Sequence, residues 1–221
     1  MKISLTPIEA RILGCLIEKE ATTPDAYPLT LNSLLLACNQ KSSREPIMEL
    51  VPEDLGAALD SLVDKTLVST WKSSHNRMPK YQHKLHDRVS DKLKFSRPEL
   101  AVLCVLFLRG PQTAGEIRTR CSRIHEFANL DELALVLGTL EEHGDGPYVV
   151  MLPRQEGRKE SRYAHLFCGL PDETTMPVTG AERRTASSGS RVEVLEHEVS
   201  ELKSALAELE QRLENFMKQF E

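Results

Sequence analysis

The chain has 221 residues, 40% hydrophobic and 28% charged, enough apolar material to build a core in one medium or two small domains. Its formal net charge of -5 excludes a protein that binds polyanions over its whole surface, so any nucleic-acid contact must come from a local patch. Five cysteines, odd in number and without a CxxC pair, exclude a disulfide frame or a thiolate zinc site and predict buried, reduced thiols in a cytoplasmic protein.

The first predicted helix opens at "TPIEARILGCLIEK". Thr6 and Glu9 have the spacing of a capping box, and Pro7 falls in the first turn, where its missing N–H is not needed. Glu9, Arg11, Glu18, Lys19 and Glu20 all fall in the first twenty residues, which is not the composition of a signal peptide. A second helix is predicted over "LTLNSLLLACNQ" (29–40). Seven polar residues follow in a row, Asn39 to Glu45, and among them Asn39, Lys41, Ser43 and Arg44 are of types that meet a phosphate or a base edge. Met48 and Leu50 are expected to anchor the far end of this loop. The third helix, over "VPEDLGAALDSLVDKTL" (51–67), repeats Leu55, Leu59, Leu62 and Val63 at helical spacing. Two strand-like tracts, "LVSTWKS" and "KYQHKL", then flank a basic tip and predict a hairpin.

The order then recurs. "SRPELAVLCVLFLRG" carries Ser96, Pro98 and Glu99 as a second capping box; its apolar run at 100–108 is too short to span a bilayer. "TAGEIRTRCSR" (113–123) places Cys121 where Cys38 stood, and "NLDELALVLGTLEEHG" (129–144) repeats the third helix. "YVVMLP" and "RYAHLF" end this half as a second hairpin, with Tyr163/His165 matching Tyr81/His83. Three helices and a β-hairpin, twice, predict an α+β protein, mainly α with small β-hairpins: two tandem winged-helix domains over 1–90 and 91–170.

"ACNQKSSREPIMEL", the two helix starts and the two YxH hairpin ends together resemble the YceH-like family of bacterial proteins over about residues 4–170. The resemblance implies a tandem winged-helix fold and no particular function.

Residues 171–190 are rich in Pro, Thr, Ser and Gly and read as a linker. In 191–221, Val192, Leu195, Val199, Leu202, Leu206, Leu209, Leu213, Phe216 and Phe220 alternate spacings of three and four, which predicts a coiled coil pairing two copies in parallel. The alternative is an amphipathic helix folded back on the winged helices.

Catalytic signatures are missing: there is no GxGxxG, P-loop, HExxH or GxSxG, and the SxxK matches at Ser69 and Ser200 lack partner motifs. A non-enzymatic protein without metal or cofactor is expected, which leaves binding. The third helices are acidic, with Glu53, Asp54, Asp131 and Glu132 in their first turns, and would be repelled by phosphates. The wings are basic: Lys72, Arg77, Lys80 and Lys84 in the first, Arg154, Arg158, Lys159 and Arg162 in the second. Basic wings can straddle a DNA backbone even when the helix reads no bases. The polar stretch after Cys38 is about five residues longer than its counterpart "CSRIHEFANL", a surplus the fold does not need, and loops carry function. The leading expectation is a dimeric DNA-binding regulator. The alternative is an adaptor whose acidic third helices contact another protein.

Overall fold

The computed structural model describes residues 3–73, 76–86, 93–154 and 160–170; for residues 72, 73, 76 and 77 it describes the backbone alone. In chain order the elements are α1 (Pro7–Thr22), β1 (Leu29–Thr30), α2 (Leu31–Cys38), α3 (Pro52–Asp64), β2 (Val68–Ser73) and β3 (Asn76–His83). Then come α4 (Arg97–Arg109), α5 (Ala114–Cys121), α6 (Leu130–Glu141), β4 (Val149–Met151) and β5 (Tyr163–His165). Helix, helix, helix, hairpin thus occurs twice, in an α+β fold with two small antiparallel sheets.

The helix starts follow from local chemistry. Glu9 N–H donates to Thr6 Oγ1, while Glu9 Oε2 accepts from Thr6 N–H at 2.7 Å; Ser96 and Glu99 repeat the arrangement at α4. A third capping box, Thr113 with Glu116, opens α5. Asn129 caps α6 by accepting from Glu132 N–H at 2.8 Å.

The hairpins are also equivalent. In the first, Val68 pairs with His83 and Thr70 with Tyr81; in the second, Val149 pairs with His165 and Met151 with Tyr163. The YxH motif therefore marks one register position in both. The first hairpin gains a third strand, in the order β1-β3-β2.

A single hydrophobic core runs through both repeats. Residues 9–17 of α1 and 100–108 of α4 are buried throughout, as befits helices covered on all sides. The two helices pack on each other, and Cys104 Sγ donates to Gly14 O at 3.3 Å. These residues lie 90 apart, the spacing that also separates Thr6 from Ser96 and Glu9 from Glu99. Equivalent helices therefore touch at equivalent positions. The contact needs glycine: a Cβ on Gly14 would stand 2.8 Å from Leu108 Cδ2. Leu5 N–H also donates to Phe167 O at 2.8 Å, joining the first described residues to the end of the second repeat.

Four cysteines are buried as expected (Cys15, Cys38, Cys104, Cys121), but Cys168 is exposed, because it lies beyond β5 at the edge of the core. No helix among the described residues is long and apolar enough to cross a membrane.

Candidate binding site at the junction of the repeats

The long connection between α2 and α3 is held at fixed points. Asn39 at its start exchanges two bonds with Leu50 at its end: Nδ2 donates to Leu50 O and Oδ1 accepts from Leu50 N–H, each at 2.9 Å. Leu50 in turn packs on the core. Arg44 is 5% exposed. Its Nε donates to Ala37 O at 3.0 Å, Nη1 donates to Glu18 Oε1 and to Ser43 O, and Nη2 donates to Glu18 Oε2. Arg11, 1% exposed on α1, donates to Cys38 O at 3.2 Å and to Pro46 O at 2.6 Å. Glu45 N–H donates to Leu108 O at 2.8 Å, which ties the loop to the second repeat.

Two buried guanidiniums need a carboxylate. Burial disfavours the charge on Arg44, but the Glu18 hydrogen bonds outweigh it and raise the pKa above the ordinary value. Arg11 has no such partner, and burial pulls it below the usual range, with the like charge of Arg44 adding to the effect.

This geometry corrects the reading of the polar stretch. Arg44, expected to reach a base edge, is turned into the protein, and the Asn39 amide is spent on Leu50. What the loop offers to solvent lies between these anchors: Lys41 and Ser42 are exposed and Ser43 is half-buried. Ser43 takes a positive φ of 61°, a backbone region L-residues seldom enter.

The tip faces the second repeat across a cleft of about 490 Å³, walled by Glu18, Lys19, Lys41 and Ser42 on one side and Arg123 on the other. A smaller hollow of about 200 Å³ shares Glu18, Thr22, Ser43 and Arg123 and extends to Arg109 and Arg120. Arg109 is half-buried at the end of α4. Burial lowers its pKa, and the neighbouring charges of Arg120 and Arg44 lower it further. Sequence reasoning missed Arg11 and Glu18 as anchors and Arg109, Arg120 and Arg123 as walls. The signal for Arg11 was a charge inside a run otherwise apolar on every face of the helix.

The other candidate residues are scattered. Lys80 on β3 and Lys84 just beyond it are half-buried, and Lys80 pairs in register with the exposed Trp71. Arg154 is exposed, but Arg162, expected on the second wing, is 7% exposed and donates to Pro111 O, because it leads directly into β5 against the core. Glu53, Asp54 and Asp131 are exposed. Glu132 is half-buried, accepts from Ala128 N–H at 2.7 Å and lies 3.5 Å from His125. The side chains of Lys72 and Arg77, Arg158, Lys159 and the whole of 171–221, including Val192 through Phe216, lie outside the described residues.

Glu20, His83 and His86 bring three possible metal-ligating atoms within 4.8 Å of one another. However, Leu85 N–H donates to His83 Nδ1 at 3.4 Å, which puts the ring proton on Nε2, pointing at Glu20 Oε2 2.9 Å away. Neither ring nitrogen of His83 then presents a free lone pair, and the trio closes as a hydrogen-bonded pair with His86 beside it.

The model of a family described as "Protein of unknown function, DUF480" matches residues 5–158. The UPF0502 protein VPA1223 of Vibrio parahaemolyticus is 47% identical over 217 residues, covering 98% of this chain and 100% of that one. The UPF0502 protein YceH of Salmonella newport is 46% identical over 209 residues, covering 95% and 97%. Neither the family description nor these names carries an enzyme activity.

Proposed function

Because this chain belongs to the DUF480 family, whose description names no activity, its function must be argued from its own surface, and we propose a tandem winged-helix protein that grips DNA through its first wing. The supporting observation is on the first hairpin, midway along β3 and at its base. Trp71 is 52% exposed opposite Lys80, Lys84 follows the strand, and neither lysine has a carboxylate within ion-pair range among the described residues. Cations without a carboxylate partner supply phosphate contacts, which give affinity with little sequence preference. The acidic starts of α3 and α6 keep those helices off the backbone, so binding of this kind reads shape and charge. In this reading the protein is not an enzyme, and two copies pair through residues 191–221.

Trp71 is the single tryptophan of the chain and reports its own contact. Titrating a random duplex at about 50 mM salt should change its emission, with a Kd of roughly 10⁻⁴–10⁻⁶ M, and Lys80→Ala and Lys84→Ala should each lower the salt slope by about 0.9. An unchanged Trp71 signal with no binding tighter than about 10⁻⁴ M would exclude the wing as a DNA element. Light scattering should give a dimeric full chain and a monomer after truncation at Ser190; an unchanged mass would sink the coiled-coil pairing.

A second reading has its own observation. On α6, Leu135 is 76% and Leu130 50% exposed beside Asp131, with no Lys or Arg in the helix. An apolar, acidic helix face suits a protein partner better than a phosphate backbone. If duplex titration fails, charge reversal at Glu53, Asp54, Asp131 or Glu132 should break a protein complex and leave wing variants silent.

A further inference from the structure

The junction cleft contains more positive charge than the fold can use. Arg44 is matched by Glu18, and Arg120 lies 3.6 Å from Glu116, but Lys41, Arg109 and Arg123 have no carboxylate within ion-pair range among the described residues. Lys41 and Arg123, with Lys19, thus line the main cleft, and Arg109 and Arg120 join Arg123 in the adjoining hollow. Hydroxyls alternate with them: Ser42 and Ser43 on the loop, Ser122 at the end of α5. Like charges gathered in a partly desolvated hollow repel one another; Arg109 is held below its ordinary value first by burial and then by the charges of Arg120 and Arg44. A multiply charged anion relieves the repulsion, with hydroxyls and forked guanidiniums donating to its oxygens.

We infer that the cleft between loop 40–43 and the α4–α5 end of the second repeat binds a small phosphate-bearing molecule. The volume of about 490 Å³ with a side hollow of about 200 Å³ suits a ligand the size of a mononucleotide or a sugar phosphate. The main cleft has no apolar residue in its wall, so recognition there rests on the phosphate, while Cys104, Val105, Leu108 and Ile124 line the side hollow. The five surplus residues of the first repeat then have a purpose: they carry Lys41 and Ser42 across to Arg123, while Asn39 and Arg44 fix the tip in advance and reduce the entropy lost on binding. This site is separate from the wing and does not depend on DNA binding.

The probe is inorganic pyrophosphate, titrated into the full chain by calorimetry at constant ionic strength. The expected result is saturable binding of one pyrophosphate per chain with a Kd below about 1 mM. Lys41→Gln and Arg123→Gln, both on exposed positions and without structural bonds, should each weaken it about tenfold or more while leaving the thermal midpoint of the free protein unchanged. Arg109→Gln should weaken it as well, and Lys84→Gln on the wing should leave it unaltered. No saturable binding up to about 10 mM, a Kd beyond the weak end of ordinary ligands, overturns the proposal. So does a Lys84→Gln loss equal to that of Arg123→Gln, which would place the anion on the DNA-facing surface.

Discussion

The two connections between second and third helices solve one problem in different ways. In the second repeat, eight residues (122–129) suffice, and they are held from the surface: Arg97 donates to Ile124 O at 3.0 Å, and Arg118 donates to Phe127 O and Ala128 O. In the first, thirteen residues (39–51) are held from inside, by the buried Arg11 and Arg44 with Glu18 as counter-charge. An arginine on the surface keeps most of its hydration, whereas a buried one must be matched inside, Arg11 by carbonyls alone and Arg44 by carbonyls and a carboxylate. The longer loop therefore rests on a charge network that the shorter one does without.

That contrast can be broken most directly by removing one arginine from each loop. Arg44→Ala leaves Glu18 without its partner and should cost about 3–5 kcal/mol in urea unfolding. Arg118→Ala should cost only about 1 kcal/mol. Equal losses would mean that burial makes no difference between the loops. The α1–α4 contact comes next: Gly14→Ala drives a methyl into Leu108 and should cost about 1–3 kcal/mol.

The paired hairpin histidines sharpen the comparison through pH. His83 faces Glu20, but His165 packs edge-on against Phe107 with its Nδ1 enclosed and without a hydrogen-bond partner. Burial pulls the His165 pKa down to about 4, so the folded state holds it neutral. Unfolded chains protonate it near 6.5, so its stability contribution is complete above that pH and is lost as pH falls toward 4. The residue as a whole is half-buried, so the loss should be on the order of 2 kcal/mol, and His165→Phe should remove that portion of the acid sensitivity. The smallest effect is expected where the repeats behave alike. Gly56 in α3 and Gly138 in α6 both have open space where a Cβ would stand, so Ala at either should stabilise by about 0.5–1 kcal/mol.

The repeat was legible in the sequence because its signals are local. A capping box needs four residues, helical periodicity about a dozen, and the YxH spacing survives as register in both hairpins. The site was half legible. The surplus length after Cys38 was visible, but its two most suggestive side chains proved to be anchors. Arg44 lies in a polar run, and nothing nearby shows that Glu18, 26 residues earlier on another helix, turns it inward. Arg109, Arg120 and Arg123 belong to the other repeat and join the loop only through tertiary packing. Arg162 and Cys168 show the same limit: the pattern identified the strand between them and could not say which neighbour faces the core.

The bond from Leu5 to Phe167 has a consequence for how the protein is made. Residues near the first turn of α1 wait for a partner 162 positions later, and the buried face of α1 waits for α4. At synthesis rates of about 5–20 residues per second, that interval lasts roughly 10–30 s, during which an apolar helix leaves the ribosome with half its cover missing. A nascent chain stopped after the first hairpin should therefore recruit chaperones or aggregate, and native protease resistance should arise late and in a single step, once residue 167 is available.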